Sequence, residues 1–282
     1  MDNMIKKMAI PGEETGIILH EYKISVPGIR KKVLYHFSDI HLAYKNPAEV
    51  GNQALTFEKW AAGWPGFSRQ YHEPWNVSQM KEPADHLTCL LELAATGDAI
   101  VMAGDLCDKV NSTNLDLLDQ KLKEVNTPFM AVCGNHDMAH EIPDGYSFSE
   151  MKLPVQILDL GDLLLVGIDN SNRQITAEQT DQLRQLLPLG KPLLITMHIP
   201  IMTESNRDIL LSSGDYFRLN HPEATAETLA FIELLKANAG QIAAVLAGHL
   251  HYHNESEIAP GLPQFVTSQG VLGNINRYEI GE

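Results

Sequence analysis

Five short apolar runs along this chain end abruptly in polar residues. Residues 33–37 run into Ser38-Asp39-Ile40-His41, residues 99–103 into Gly104-Asp105, and residues 128–133 into Gly134-Asn135-His136-Asp137. Residues 192–197 precede His198, and residues 242–247 precede Gly248-His249. Continuous apolar runs of this length predict strands buried on both faces. Between them, residues 85–95, 114–125, 177–187 and 224–237 carry apolar positions three and four apart, the period of a helix with one buried face. Thr176 and Thr225 stand where N-caps of the last two are expected.

This alternation predicts a layered α/β fold. Other segments read as antiparallel. Residues 153–160 and 163–169 flank Gly161-Asp162, a hairpin-type turn, and residues 263–268 and 275–280 are expected to form a second strand pair. Mixed sheets therefore fit better than one parallel sheet. No repeat, low-complexity tract or Pro/Gly-rich linker divides the chain, which predicts one domain over residues 1–282. An aromatic-rich insertion at 42–83 stands apart, holding Trp60, Trp64 and Trp75 with Tyr44, Phe67 and Tyr71. The spacing of Trp60, Trp64 and Phe67 suits a helix packed on the core as well as a lid over the first strand end. Residues 205–222 are the other candidate wall.

Composition narrows the partners. The 282 residues are 44% hydrophobic and 20% charged, ordinary for a globular protein. A formal net charge of −15 speaks against a nucleic-acid surface, which needs clustered Lys and Arg, but leaves room for a small phosphorylated substrate governed by local charge. Lys6 and Lys7 are followed by no long apolar stretch, so neither a signal peptide nor a membrane span is expected. Cys89, Cys107 and Cys133 make no even-numbered disulfide framework. A cytoplasmic location is the default expectation, and nothing in the pattern sets an oligomeric state.

Each polar cluster follows a buried-strand candidate, and in open α/β sheets ligands bind beyond the carboxyl ends of strands. Five strand ends side by side would gather imidazoles, carboxylates and one amide, a donor set suited to Mn, Fe, Zn or Co rather than Ca. Taken singly, Asp39, Asp105 and Asn135 would read as turn or cap residues.

The succession Asp39-x-His41, Gly104-Asp105-x-x-Asp108, Gly134-Asn135-His136-Asp137, His198 and Gly248-His249-x-His251 resembles the calcineurin-like metallophosphoesterases across roughly residues 33–253. Asp169-Asn170-Ser171 followed by Gln179-x-x-x-Leu183 is loosely similar to the bacterial cyclic-nucleotide-phosphodiesterase-like branch. The resemblance implies a layered α/β/β/α fold with helices on the outer faces. It also implies a phosphohydrolase with two divalent or mixed-valence transition metal ions (Mn, Fe or Zn). Asp39, His41 and His251 would hold the first ion, and Asn135, His198 and His249 the second, with Asp105 bridging. A hydroxide shared by the ions would attack a small phosphomonoester or phosphodiester, with His136 as catalytic histidine oriented by Asp108. Two divalent ions set against Asp39, Asp105 and hydroxide leave about one positive charge facing the substrate, despite the acidic chain.

Two other outcomes follow from the same resemblance. A non-catalytic scaffold would have lost the catalytic histidine, whereas His136 and every ligand position are filled. A nuclease would need a basic groove, which the charge disfavours. Lys109 stands where the protein phosphatase branch has arginine, and Asp108 where purple acid phosphatases have a metal-binding tyrosine, which disfavours an iron–tyrosinate site. Asp137 is expected to brace its loop, and Cys107 and Cys133 to pack. Of the remaining histidines, His72 and His253 are the candidate substrate contacts, one in the aromatic insertion and the other beside a ligand.

Overall fold

The five apolar runs form strands whose side chains are buried on both faces, as their composition requires. In the computed structural model, which describes residues 4–9, 16–44, 48, 83–137 and 139–282, they are β3 (Lys32–Phe37), β4 (Ala99–Met102), β5 (Phe129–Ala131), β8 (Leu193–Thr196) and β9 (Ile242–Ala247). Seven further strands complete two sheets: β1 (Met4–Ala9), β2 (Gly16–Ile24), β6 (Val155–Asp159), β7 (Leu164–Ile168), β10 (Asn254–Ala259), β11 (Leu262–Val266) and β12 (Asn274–Ile280). The first sheet has the order β1-β2-β12-β3-β4-β5, and the second β10-β11-β9-β8-β7-β6. Both are mixed. β3, β4 and β5 run parallel, as do β7, β8, β9 and β11, while β1, β6 and β10 are antiparallel edges.

Three apolar layers hold these elements together. Leu34, Val101, Met130, Leu165, Leu194, Leu246, Phe265 and Tyr278 interdigitate between the two sheets. The outer face of the first sheet packs against α1 (Pro83–Ala94) and α2 (Ser112–Lys123) through Leu87, Leu90, Leu115 and Leu118. The outer face of the second packs against α3 (Ala177–Leu186) and α5 (Ala226–Ala237) through Leu183, Phe231 and Leu235. A short α4 (Arg207–Ser213) follows the β8 loop. The architecture is therefore α/β/β/α. None of the helices among the described residues is long and apolar enough to cross a membrane.

Local chemistry starts the helices where the sequence pattern places them. Thr176 and Gln179 form a reciprocal capping box on α3, and the Thr225 hydroxyl accepts from the Thr228 N–H on α5. The hairpin β6–β7 turns through Gly161, whose φ of 91° suits glycine.

One expected pairing fails. The strands read at 263–268 and 275–280 do not pair: β11 joins β9 and β10 in the second sheet, and β12 lies between β2 and β3 in the first. The turn Gly270–Leu272 carries the chain from one sheet to the other, its Gly270 and Val271 N–H groups donating to the Ser38 and Asp39 carbonyls. Of the insertion 42–83, residues 42–44, Ala48 and Pro83 are described. Trp60, Trp64, Trp75, Phe67, Tyr71 and His72 lie outside the described residues.

Leu194 has no exposed surface and touches both sheets' inner faces. Leu194→Ala is expected to lower the unfolding free energy by about 2–5 kcal/mol, read by denaturant titration. Leu229→Ala, at a side chain 48% exposed, is expected to change it by less than about 0.5 kcal/mol.

Candidate metal centre

At the carboxyl edge of both sheets the loops continue the ladders beyond the last strand residues. Asp39 N and His41 N donate to the Gly104 and Asp105 carbonyls at 2.9 and 3.0 Å, and Gly248 N donates to the His198 carbonyl at 2.9 Å. The chain then turns sharply. Asp39, His41, Asp105, His249 and His251 all have left-handed backbones, with φ of 56°, 51°, 53°, 71° and 58°. That region is costly for any residue with a Cβ, by about 1–3 kcal/mol each. The turns carry the chain out of the strand path, and His249 and His251 enter donor groups that share Asp105. Close approach also fixes two glycines. A Cβ on Gly104 would sit 2.6 Å from His198 Nδ1, and one on Gly134 would meet the Asp105 carboxylate.

Among the described residues three groups of donor atoms could hold a metal ion, one of them His41, Asp108 and His136, and the other two overlap at Asp105. In the first of that overlapping pair, His41 Nε2 lies 3.0 Å from His251 Nε2, 3.7 Å from Asp39 Oδ1 and 3.8 Å from Asp105 Oδ2. In the second, His198 Nε2 lies 3.2 Å from Asp105 Oδ2, 3.2 Å from His249 Nδ1 and 3.1 Å from Asn135 Oδ1. Asp105 is common to both. The seven residues read from five distant motifs are thus brought to one place. His251 Nε2 stands 3.1 Å from Asp39 Oδ1, yet that buried oxygen makes no hydrogen bond among the described residues. An orphaned carboxylate oxygen among facing imidazole nitrogens fits a transition-metal ligand set.

The outer ends of these side chains are held in turn. Asp39 Oδ2 accepts from the Ser38 hydroxyl and, at 3.0 Å, from His249 N. His198 Nδ1 donates to the Ala103 carbonyl at 2.7 Å, turning Nε2 toward the centre. Asn170 takes the His198 and Ile199 N–H groups on its Oδ1, both at 3.0 Å, and fixes that loop. Asp108 does more than the sequence indicates. Its Oδ1 lies 3.3 Å from His136 Nδ1 but 3.0 Å from His41 Nδ1, so one carboxylate braces both rings. Asp137 accepts from Gly134 N and Cys107 N at 2.8 and 2.9 Å and ties two site loops together. The free thiols of Cys107 and Cys133 are buried. His253 is committed to a separate network: its Nε2 meets the Tyr22 hydroxyl at 2.8 Å and Glu255 at 3.1 Å, and its ring stacks on His20.

The charges divide unevenly. Burial would lower His41, but the Asp108 hydrogen bond and the nearby Asp39 and Asp105 carboxylates raise it to about 10. Burial is likewise outweighed at His198, where Asp105 raises the ring to about 9. His249 falls to about 3, through burial and the neighbouring His198 charge, and burial also lowers His251. Burial pushes Asp39 and Asp105 up, yet the imidazoles of His251 and His41 at the former, and of His198 and His41 at the latter, hold both below the usual carboxylate range.

Sequence comparison agrees with this arrangement. The chain belongs to the calcineurin-like phosphoesterase family, whose profile matches residues 32–253. A dimetal phosphatase from Danio rerio shares the fold, with a TM-score of 0.56 at 11% identity over 85% of this chain and 88% of that one. A probable cyclic nucleotide phosphodiesterase of Psychrobacter arcticus is 29% identical over 126 residues, 38% of this chain and 45% of that protein. The DNA double-strand break repair protein Mre11 of Methanosarcina mazei is 37% identical over 82 residues, 26% of this chain and 13% of that protein. The match therefore spans less than half the length of either relative.

Sequence reading passed over Tyr216, which borders the second donor group, and Arg173, which lies over its ring. No motif contains them, and only the position of Tyr216 in the candidate wall 205–222 pointed to it.

Because His41 and His198 carry protons up to about 10 and 9, a cation entering the cluster competes with those protons. Mn²⁺ affinity of chelator-stripped protein is expected to rise steadily from pH 6 to pH 9, with proton release on binding. Calorimetry in buffers of different ionisation enthalpy checks this, and a pH-independent affinity would contradict it.

Proposed function

We propose that this protein is a dinuclear-metal-dependent phosphohydrolase that cleaves a small phosphomonoester or phosphodiester. The observation that carries this reading is the pair of overlapping donor groups sharing Asp105, with His136 beside them. Asp39, His41 and His251 would hold the first ion, Asn135, His198 and His249 the second, and Asp105 both. The imidazole, carboxylate and amide donors suit Mn, Fe or Zn. When bound, such a pair supplies positive charge to the phosphoryl oxygens and makes water acidic enough to serve as nucleophile near neutral pH.

The rest of the work falls to the chain. His136 N donates to Asp105 Oδ1 at 2.8 Å, which anchors the residue to the shared carboxylate. Its Nδ1 is held by the Asp108 carbonyl and carboxylate at 3.2 and 3.3 Å, leaving Nε2 to deliver a proton to a departing oxygen. Exposure separates its role from those of its neighbours. The His136 side chain is 40% exposed, against 2% for His41 and 0% for His198. It therefore stands where a substrate arrives, and the others stand where an ion would be enclosed.

Small substrates fit better than nucleic acid, because a net charge of −15 disfavours association with a phosphate backbone. The resemblance to a probable cyclic nucleotide phosphodiesterase makes a cyclic phosphodiester the first natural class to test.

Mn²⁺-loaded protein is expected to hydrolyse p-nitrophenyl phosphate, its bis ester or a cyclic nucleotide. His136→Ala should reduce kcat by about 10²–10⁴-fold while retaining both ions by elemental analysis. Fully loaded wild-type protein that is inert toward the whole panel would overturn the proposal.

A further inference from the structure

The second donor group is closed on its outer side by a residue from outside the motifs. Tyr216 lies in the short turn Asp215–Phe217 that follows α4. Its backbone carbonyl accepts from His249 Nε2 at 3.1 Å. A proton fixed on Nε2 leaves the lone pair on Nδ1, the atom that lies 3.2 Å from His198 Nε2. The same residue reaches Asn135. The Tyr216 hydroxyl faces the Asn135 side chain, whose influence lowers its pKa against the rise that burial causes. An amide has one donor end and one acceptor end, so a partner accepting from Nδ2 leaves Oδ1 to face the centre. Asn135 Oδ1 indeed lies 3.1 Å from His198 Nε2.

Tyr216 is itself held from outside. Its ring packs against the His249 ring at 5.2 Å between centroids, and the Arg173 guanidinium carbon lies 5.2 Å from its ring centroid. Arg173 Nη2 donates to the Asp215 carbonyl at 3.2 Å, binding the turn as well as the ring. Its Nε is buried without a hydrogen bond among the described residues, which leaves the aromatic face as a principal partner of this charge. Arg173 itself has a left-handed backbone, with φ of 66°.

We propose that Tyr216 is a positioning residue for the second ion, orienting His249 through its carbonyl and Asn135 through its hydroxyl, with Arg173 clamping it in place. The proposal rests on the dinuclear reading above. It assigns no contact with substrate to Tyr216. Outer partners of this kind typically govern metal affinity by about 10–100-fold.

The test is stepwise Mn²⁺ titration of chelator-stripped full-length protein, followed by calorimetry and by electron paramagnetic resonance. Wild type is expected to take up two ions and to show a spin-coupled pair at two equivalents. Tyr216→Phe should bind the first ion as wild type does, bind the second about 10–100-fold more weakly, and retain a mononuclear signal at two equivalents. Arg173→Ala should weaken the same step. Thermal midpoints of the stripped variants are expected to match wild type, since Tyr216→Phe removes one hydroxyl from a residue that is 45% exposed. Wild-type affinity for both ions in Tyr216→Phe would overturn the proposal, as would equal weakening of both steps. Wild-type protein that binds no ion pair would instead overturn the functional reading beneath it.

Discussion

Two carboxylates, Asp39 and Asp105, are buried to within about 1% of complete exclusion from solvent, and no Lys or Arg pairs with either among the described residues. Removing such charges from water costs several kcal/mol apiece unless other groups compensate. Everything around the carboxyl edge of the two sheets follows from that requirement. Backbone N–H groups of His249 and His136, the Ser38 hydroxyl and the imidazoles of His41, His198 and His251 all turn toward these two side chains. Because the partners come from both sheets, satisfying the carboxylates also joins the sheets at one edge. The apolar layer beneath them, from Leu34 to Tyr278, joins them over the rest of their area.

The compensation is only partial with protein groups alone. One Asp39 oxygen lacks a hydrogen bond, and two neutral-leaning imidazoles, His249 and His251, crowd against two protonated ones. Such an arrangement is poor as a core network and good as a receptacle for cations. The same logic reconciles a net charge of −15 with such a centre, because the donors act at short range whereas salt screens long-range repulsion beyond roughly 8 Å.

Much of this was legible before any coordinates. Strands β3, β4, β5, β8 and β9 announce themselves because a parallel strand buried on both faces has to be apolar throughout, and each ends where the polarity changes. Thr176 and Thr225 mark helix starts through capping chemistry that is local to the sequence. The edge strands were harder. β10, with Asn254, Glu255, Ser256 and Glu257, lies at the rim of its sheet and shows no apolar run. β1 and β2 form a hairpin that the apolar pattern did not reveal. The pairing expected for β11 with β12 failed because adjacency in sequence favours pairing, whereas Gly270, hydrogen-bonded to Ser38, carries the chain across to the other sheet. At the centre, residue types and order identified the donors. Nothing in the sequence showed that Asp108 serves His41 as closely as His136, or that Tyr216 borders Asn135 and His249, because those relations depend on side-chain reach between distant loops.

The left-handed turns at Asp39, His41, Asp105, His249 and His251 have a bearing on redesign. A catalytic centre is usually thought of as a set of side chains that any sufficiently rigid scaffold can display. Here the aiming is done by the backbone, at residues whose Cβ atoms resist that conformation. Grafting the seven donors onto strand ends with ordinary extended loops would aim their side chains along other directions than these turns impose. The portable unit is the loop path together with its glycines, and a transplant that preserved amino-acid identity while relaxing those turns would carry the ingredients without the geometry.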